Sequence, residues 1–299
     1  MFDPVHLATL AAVLRLGSFE AAAAALNVTP PAVSQRIRAL EERAGTVLVE
    51  RTQPARATPA GARLARHHEE LRLLEQGLAR DLGRAAGPAA SVRIAVNADS
   101  LATWFLPALA AVEGMLFDLV IDDQDHSADW LRRGEVMAAV TGHPGPVQGC
   151  EAKPLGSLRY IATASPGFAA RWFAGGVTAA ALAQAPALVF NAKDRLQADW
   201  AAAATGARPA LPAHRIGTSE GFVAAALLGI GWGMNPEVLV AGHLAAGRLV
   251  ALRPDLPLDV ALHWQWIRAA GAPLAPLTAA VREAARVGLA SPRGAVCPP

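Results

Sequence analysis

Three short helical patterns joined by tight turns occupy the first sixty residues, and they limit the fold more than any other feature. Asp3, Ser18 and Thr29 each precede a helical pattern, where a side-chain oxygen can cap free backbone N–H groups, and proline follows Asp3 and Thr29. Gly17 and Asn27 stand where the left-handed conformation ends a helix. The sequence therefore predicts a helix-turn-helix, a unit that places the start of its last helix in the DNA major groove.

The third helical pattern has one apolar face and one polar face. Val33, Ile37 and Leu40 recur at helical spacing and are expected to face inward. The side chains expected to point outward near the helix start are Pro31, Ser34, Gln35 and Arg38. Hydroxyl, amide and guanidinium groups pair with base edges or phosphates, and a proline ring can contact a thymine methyl. The alternative is an ordinary three-helix bundle with a polar outer face.

Two short extended segments around Pro54 predict a wing behind the helices. Between residues 29 and 66, seven arginines stand against three glutamates, although the net charge of the whole chain is only +2. Such a local cationic surface attracts phosphates. We therefore expect the following residues to contact double-stranded DNA: Ser18, Thr29, Pro31, Ser34, Gln35, Arg36, Arg38, Arg51, Arg56 and Thr58.

A long helix is predicted from Thr58-Pro59 to about residue 82. Its leucines recur near heptad spacing, at Leu64, Leu71, Leu74, Leu78 and Leu82. This spacing favours a homodimer in which two such helices pack together. The alternative is that the seam packs against domains of the same chain.

Strands and helices alternate through the remaining two hundred residues, which indicates an α/β fold with a parallel sheet and helices on both of its faces. Predicted strands cover residues 92–96, 117–121, 136–141, 158–163, 188–191, 214–217, 231–234 and 258–267, and a terminal helix covers 274–289. The predicted domains are a winged helix-turn-helix (1–58), a linker helix and hinge (59–90) and a two-lobed effector domain (91–299). Its first subdomain covers about 91–157 and 268–299, and its second covers about 158–267.

Ligands of two-lobed α/β folds bind at the carboxyl ends of strands, near helix N-termini. The residues expected to contact a ligand are Asn97, Asp99, Ser100, Asp123, Asp125, Thr141, Asn191, Thr218 and Glu220. Helix N-termini and hydroxyls suit an α-carboxylate, and the surplus of carboxylates suits a cation. A basic amino acid has both groups. The alternative is that the aspartates cap helices and that Glu220 only stabilises a helix dipole.

Other classes of protein find little support. The sequence contains no phosphate-binding loop and no zinc-protease motif, so an enzyme is the weaker alternative. We expect no cofactor and no metal, because the acidic residues at 122–126 lie on one short turn. No membrane span or export signal is predicted, and Cys150 and Cys297 are expected to be idle thiols, so a cytoplasmic location is expected.

The N-terminal residues resemble the signature of LysR-type transcriptional regulators. The resemblance covers about sixty residues: Ala21–Ala25, Thr29, Pro31–Ser34, Ile37, Leu40-Glu41, Arg51, Thr58 and Ala60-Gly61. It implies a DNA-binding regulator with a periplasmic-binding-protein-like effector domain. It also implies a homodimer, pairing of dimers into tetramers and contact with RNA polymerase.

The rest of the chain is similar to the ArgP/LysG (IciA-like) group of that family. The matching segments are 96–104, 122–126, 139–141, 229–234 and 263–266. The resemblance implies that the chain senses lysine or arginine and controls genes of basic amino-acid export or metabolism. It makes the carboxylates named above candidate contacts for the effector's cation. A different small-molecule effector remains the alternative.

Overall fold

The computed structural model describes residues 1–82, 89–124 and 126–290. Most of the predicted hinge at 83–91 lies outside these ranges, as do Asp125 and Cys297.

The N-terminal domain is the predicted helix-turn-helix. Its helices are α1 (Pro4–Leu16), α2 (Phe19–Ala25) and α3 (Pro30–Ala44). The side chains of Asp3, Ser18 and Thr29 each accept a hydrogen bond from a backbone N–H of the helix that follows, as predicted. Val33 and Ile37 of α3 are fully buried against α1 and α2, so the polar side of α3 faces outward.

A two-stranded wing follows α3. Strands β1 (Val49–Glu50) and β2 (Arg56–Ala57) pair antiparallel, and the Gln53–Pro54 peptide between them is cis. Oε1 of Glu41 accepts hydrogen bonds from Leu48 N at 2.9 Å and Val49 N at 3.4 Å. This carboxylate ties the start of the wing to α3.

The predicted leucine seam lies on the long helix α4 (Pro59–Asp81), and its two ends have different environments. Leu64 and Leu71 pack against the core of the helix-turn-helix, which is the alternative considered from the sequence. Leu74, Leu78 and Leu82 remain 47–63% exposed, and Leu82 lies just beyond the helix. The C-terminal part of the seam is therefore available to a second chain.

The main sheet of the predicted effector domain has the order β10 (Val250–Ala251), β6 (Cys150–Ala164), β11 (Leu258–Ile267), β5 (Ala138–Thr141), β3 (Ala90–Val96) and β4 (Met115–Ile121), and β9 (Gly233–Pro236) also pairs with β6. The pairs of β6 with β9, β10 and β11 and the pair β5–β11 are antiparallel. The domain is therefore α/β, as predicted, but its main sheet is mixed rather than parallel, because the long strands β6 and β11 pair antiparallel. Its first part, called lobe I here, contains β3 (Ala90–Val96), α5 (Ala98–Ser100), a π-helical turn (Leu101–Phe105), α6 (Leu106–Ala110), β4 (Met115–Ile121), α7 (Ser127–Arg133), β5 (Ala138–Thr141) and α13 (Ala275–Gly288). Strands β3, β4 and β5 are parallel. The carboxyl ends of β3 and β4 therefore lie side by side.

The second part, called lobe II, contains α8 (Pro166–Trp172), α9 (Ala179–Leu182), β7 (Ala187–Val189), α10 (Leu196–Thr205), β8 (Ala213–Arg215), α11 (Ser219–Leu227), β9 (Gly233–Pro236), α12 (Glu237–Ala245) and β10 (Val250–Ala251). Strands β7 and β8 form a small parallel pair. Phe222 and Val223 of α11 belong to a buried cluster that also includes Leu188 of β7. This packing fixes the start of α11 relative to the loop after β7.

Two long antiparallel strands, β6 (Cys150–Ala164) and β11 (Leu258–Ile267), run through both lobes. The pairing register shifts between Leu262 and His263, near Gly156, whose φ of +133° and close approach to Ala290 O favour glycine. The sequence prediction placed a strand only at 158–163, whereas β6 begins at Cys150 and continues through Pro154 and Gly156. A short 3₁₀ turn (Arg268–Ala270) follows β11.

Candidate functional site

The polar side of α3 forms an exposed surface at the N-terminal end of that helix. Pro31, Gln35 and Arg38 are exposed, and Ser34 is partly buried. Arg56 is exposed on the wing, where it pairs in register with Glu50. We call Pro31, Ser34, Gln35 and Arg38 the α3 surface, and its geometry suits insertion into a groove of DNA.

Other residues predicted to contact DNA already have partners within the domain. The hydroxyls of Ser18, Thr29 and Thr58 accept hydrogen bonds from backbone N–H groups at 3.1–3.4 Å. A guanidinium nitrogen of Arg36 lies 3.5 Å from Thr9 Oγ1 on α1, and the Arg51 guanidinium lies 5.2 Å from the centre of the Phe19 ring. For these residues a DNA contact stays a prediction beside an evident structural role.

A cavity lies between the two lobes at the carboxyl ends of β3 and β4. The empty space there is about 510 Å³, part of which is open to solvent. Lobe I contributes Asn97, Ala98, Asp99, Asp122, Asp123 and Gln124. Lobe II contributes Phe190, Asp194, Leu196, Gln197, Ser219, Phe222, Met234, Asn235 and Pro236. Four of these side chains are carboxylates.

Asp99 is held by hydroxyl groups from two other elements. Tyr160 Oη of β6 donates to Oδ2 over 2.8 Å, and Ser219 Oγ of α11 donates to Oδ1 over 2.6 Å. Burial raises the pKa of Asp99 above its ordinary value, and the two hydrogen bonds only partly oppose that shift. The cavity thus contains a carboxylate that gains from a nearby positive charge.

Asp122 is held differently, at the end of β4. Its Oδ2 accepts a hydrogen bond from Trp130 Nε1 at 2.8 Å, and its Oδ1 lies 3.3 Å from Lys193 Nζ. Burial acts to raise the pKa of Asp122, but the hydrogen bonds from Trp130, Asp123 N and Lys193 outweigh it and lower this pKa. Asp122 is therefore an ionised group at neutral pH.

Three buried amide oxygens of the cavity, those of Asn97, Gln197 and Asn235, lack partners among the described residues. Asn97 is 4% exposed and Asn235 is fully buried, yet Oδ1 of each has no hydrogen-bond partner among the described residues. Asn235 Nδ2 donates to Thr163 Oγ1 and Gly233 O, which fixes Oδ1 as the acceptor. An unpaired buried acceptor is costly, so these oxygens favour a ligand with N–H donors.

The loop after β7 is rigidly hydrogen-bonded. The carboxylate of Asp194 accepts from Phe190 N at 2.8 Å and Leu196 N at 3.0 Å. Burial raises the pKa of Asp194, and these backbone hydrogen bonds oppose the shift. Asn191 Oδ1 accepts from Lys193 N at 2.7 Å and Asp194 N at 3.2 Å.

The structure brings together only part of the predicted effector set. Asn97, Asp99 and Asp123 line the cavity, while Asp125 lies outside the described residues. The others lie away from the lining: Ser100 is buried, Thr141 is buried and bonded to Gln265, Asn191 supports the loop after β7, Thr218 caps α11, and Glu220 is exposed. Their direct contact with an effector stays a prediction.

Several lining residues were not selected from the sequence as ligand contacts. From the sequence, Asp122 follows a predicted strand and could either line the cleft or cap a helix, and it was not selected as a ligand contact. In lobe II, Asp194 and Gln197 lie beyond the end of β7, and Asn235 lies within β9. Their position after β7 and within β9 was the available signal, since strand ends in both lobes face the cleft.

Metal-ligand clusters and membrane-spanning helices were both sought among the residues that the structure describes. Across 1–82, 89–124 and 126–290, no three histidine, cysteine, aspartate or glutamate side chains are grouped as metal ligands would be. Within the same ranges, no helix combines the length and apolarity needed to span a bilayer.

Comparison with known proteins gives matches to both parts of the chain. Residues 4–62 match the family described as bacterial regulatory helix-turn-helix protein, lysR family, and residues 85–290 match the LysR substrate binding domain. The HTH-type transcriptional regulator LysG of Mycobacterium tuberculosis is 48% identical over 284 residues, which is 95% of this chain and 93% of that protein.

Two solved structures are similar to this chain over nearly its full length. The crystal structure of ArgP from Mycobacterium tuberculosis has a TM-score of 0.83 and 46% identity, covering 98% of this chain and 100% of that one. Full-length LysG from Corynebacterium glutamicum with the bound effector Arg has a TM-score of 0.69 and 38% identity, covering 96% and 99%.

Proposed function

Because this chain belongs to the LysR family of bacterial helix-turn-helix regulators, we propose that it controls transcription in response to a basic amino acid, lysine or arginine. Its target genes would serve the export or metabolism of basic amino acids. The relatives named LysG and ArgP, and the arginine bound to LysG of Corynebacterium glutamicum, support this proposal.

The charge of the cavity between the lobes is the observation from which we infer the chemical class of the effector. Asp99, Asp122, Asp123 and Asp194 line it, and the described residues of the lining include no lysine, arginine or histidine. A small ligand that stabilises this arrangement has to bring positive charge and N–H donors. The ammonium of lysine and the guanidinium of arginine both meet that requirement.

The zwitterionic end of an amino acid also finds suitable groups. The unpaired oxygens of Asn97 and Asn235 can accept from an α-ammonium group. The N-terminus of α11, which begins at Ser219, supplies backbone N–H groups for the α-carboxylate. This assignment places the side-chain cation toward the carboxylates of lobe I.

The DNA-binding part of the proposal rests on the α3 surface and the wing. Gln35 and Arg38 would pair with base edges, and Arg56 would reach a phosphate of the flanking backbone. The exposed leucines Leu74 and Leu78 would pack against a second copy, giving a homodimer that can bind two half-sites. Pairing of dimers into tetramers, contact with RNA polymerase and a cytoplasmic location belong to the same proposal.

The domain boundaries also follow as a proposal. We place the DNA-binding domain at 1–58, the linker at 59–90 and the effector domain at 91–299. In this arrangement α4 links the two functions, because Leu71 packs on the DNA-binding domain and Leu73 packs into the core of the effector domain.

The test is a DNA-binding titration with and without effector. Full-length protein is titrated onto labelled DNA from upstream of its own gene and the neighbouring divergent gene, with lysine, arginine or the neutral analogue norleucine. We expect a protected sequence whose affinity or footprint changes with lysine or arginine only. Turnover of the amino acid without sequence-preferring DNA binding would point to an enzyme instead.

A further inference from the structure

One carboxylate of the effector cavity already forms an ion pair with a positively charged side chain of this protein. Lys193 belongs to the loop after β7 in lobe II, and its Nζ lies 3.3 Å from Asp122 Oδ1 at the end of β4 in lobe I. Asp122 lines the cavity. The ion pair therefore joins the two lobes at a group suited to binding the effector's cation.

The position of Lys193 is set by its own loop. Asn191 Oδ1 accepts from Lys193 N, and Asp194 holds the residues on either side through Phe190 N and Leu196 N. The side chain of Lys193 itself is 49% exposed, so its ammonium can leave Asp122 for water without disturbing buried structure. This combination of a fixed backbone and a releasable head group suits a reversible contact.

The choice of lysine is unusual in this chain. Of its 27 basic residues, only Lys153 and Lys193 are lysines, and the rest are arginines. An arginine would form a planar, bidentate pair with a carboxylate, whereas a lysine ammonium is a compact and strongly hydrated point charge. A lysine at this position gives a weaker pair that another ammonium or guanidinium can replace.

We propose that Lys193 is an internal competitor of the effector, which holds Asp122 in the empty protein and is displaced when the cationic end of the ligand binds. This inference rests on the proposed function. Displacement breaks the ion pair between the lobes and replaces it with a contact through the ligand. Lys193 thereby sets the effector concentration at which the protein responds.

The test compares effector affinities of the full-length protein by titration calorimetry with lysine and arginine. Lys193→Met keeps an unbranched side chain but removes the charge, Lys193→Arg keeps the charge, and Lys153→Met removes the other lysine, which is exposed on β6. A partly exposed ion pair contributes little, so we expect Lys193→Met to bind about twofold to fivefold more tightly. Lys153→Met should match the unchanged protein, and Lys193→Arg should bind no more tightly.

The outcomes separate this inference from the proposed function. If the unchanged protein binds lysine or arginine and Lys193→Met binds equally or more weakly, Lys193 is not a competitor. If Lys153→Met gains as much affinity as Lys193→Met, the effect is one of net charge, and the inference also fails. If neither the unchanged protein nor Lys193→Met binds any basic amino acid, the proposed function itself is wrong.

Discussion

Ser219 and Asp99 join the two lobes through a hydrogen bond of 2.6 Å, from the hydroxyl of Ser219 to Oδ1 of Asp99. Ser219 begins α11 in lobe II, and Asp99 follows β3 in lobe I. Tyr160 of β6, the strand that crosses between the lobes, binds the other carboxylate oxygen. The carboxylate is therefore fixed in position before any ligand arrives, which lowers the cost of ordering the site on binding.

Replacing Asp99 by Asn should abolish most effector binding without unfolding the protein. Truncating one partner of a buried charge pair costs about 2–5 kcal/mol, so lysine affinity should fall about 30-fold or more. Because burial raises the pKa of Asp99, its ionised form opposes folding at neutral pH, and the unliganded variant should melt at a higher temperature. Calorimetric titration and thermal unfolding measure the two effects.

The matched control for that variant is Asp255→Asn, on a carboxylate that is 65% exposed and paired with Arg253. It should bind lysine as the unchanged protein does. Equal lysine affinity in Asp99→Asn and Asp255→Asn would remove Asp99 from the site.

Effector affinity should fall as the pH is lowered. The folded-state pKa of Asp99 is raised, so its contribution to stability is present at low pH and is lost as the pH rises through that pKa. A bound cation favours the ionised form of Asp99. Effector binding therefore releases a proton in the pH range above the ordinary carboxyl pKa of about 4. Titrations in buffers of different ionisation enthalpy detect this release, and Asp99→Asn should show less of it. Proton uptake on binding would contradict the assignment.

Gln35→Ala and Arg38→Ala should each weaken specific DNA binding by about 1–3 kcal/mol, because each side chain is assigned to a base edge. Arg43→Ala, at the other end of α3, is the control and should change specific affinity less. Anisotropy titrations with operator DNA and with scrambled DNA distinguish sequence-specific binding from non-specific binding. Unchanged operator affinity in both α3-surface variants would exclude this helix as the recognition element.

Leu78→Glu should convert the protein to a monomer, because a charge at a 60% exposed position of the α4 seam is compatible with the folded chain but not with a buried helix pair. Val287→Glu on α13, at a position 75% exposed, should leave the oligomeric state unchanged. Sedimentation or light scattering gives the mass. A Leu78→Glu protein of unchanged mass would place the dimer contact elsewhere.

The sequence predicted most of the N-terminal domain because its signals are local. Caps at Asp3, Ser18 and Thr29 and the periodicity of Val33 and Ile37 depend on neighbours within one or two helical turns. The α/β character of the remaining chain followed from alternating strands and helices in the same way. The long strand β6 was harder to predict, since its pairing with β11 overrides the local effect of Pro154.

Only some of the residues that line the cavity were predicted from the sequence, because the lining depends on contacts between residues that are distant in the chain. Asp99 was selected as a residue that follows a strand, but its partners Tyr160 and Ser219 lie 61 and 120 positions away. Thr141 was selected by the same rule, yet Gln265 takes up its hydroxyl. Which strand-end side chain faces a cleft is decided by the packing of both lobes, and a single chain pattern does not contain that information.

We propose that the cavity between the lobes binds a basic amino acid through its side-chain cation. Calorimetric titration of the full-length protein with lysine and arginine, and with norleucine and citrulline as uncharged analogues, tests it most directly. We expect saturable binding of lysine or arginine and at least tenfold weaker binding of both analogues, which corresponds to a loss of about 1.4 kcal/mol or more. Equal binding of a charged amino acid and its uncharged analogue, or no binding of either basic amino acid, would contradict it.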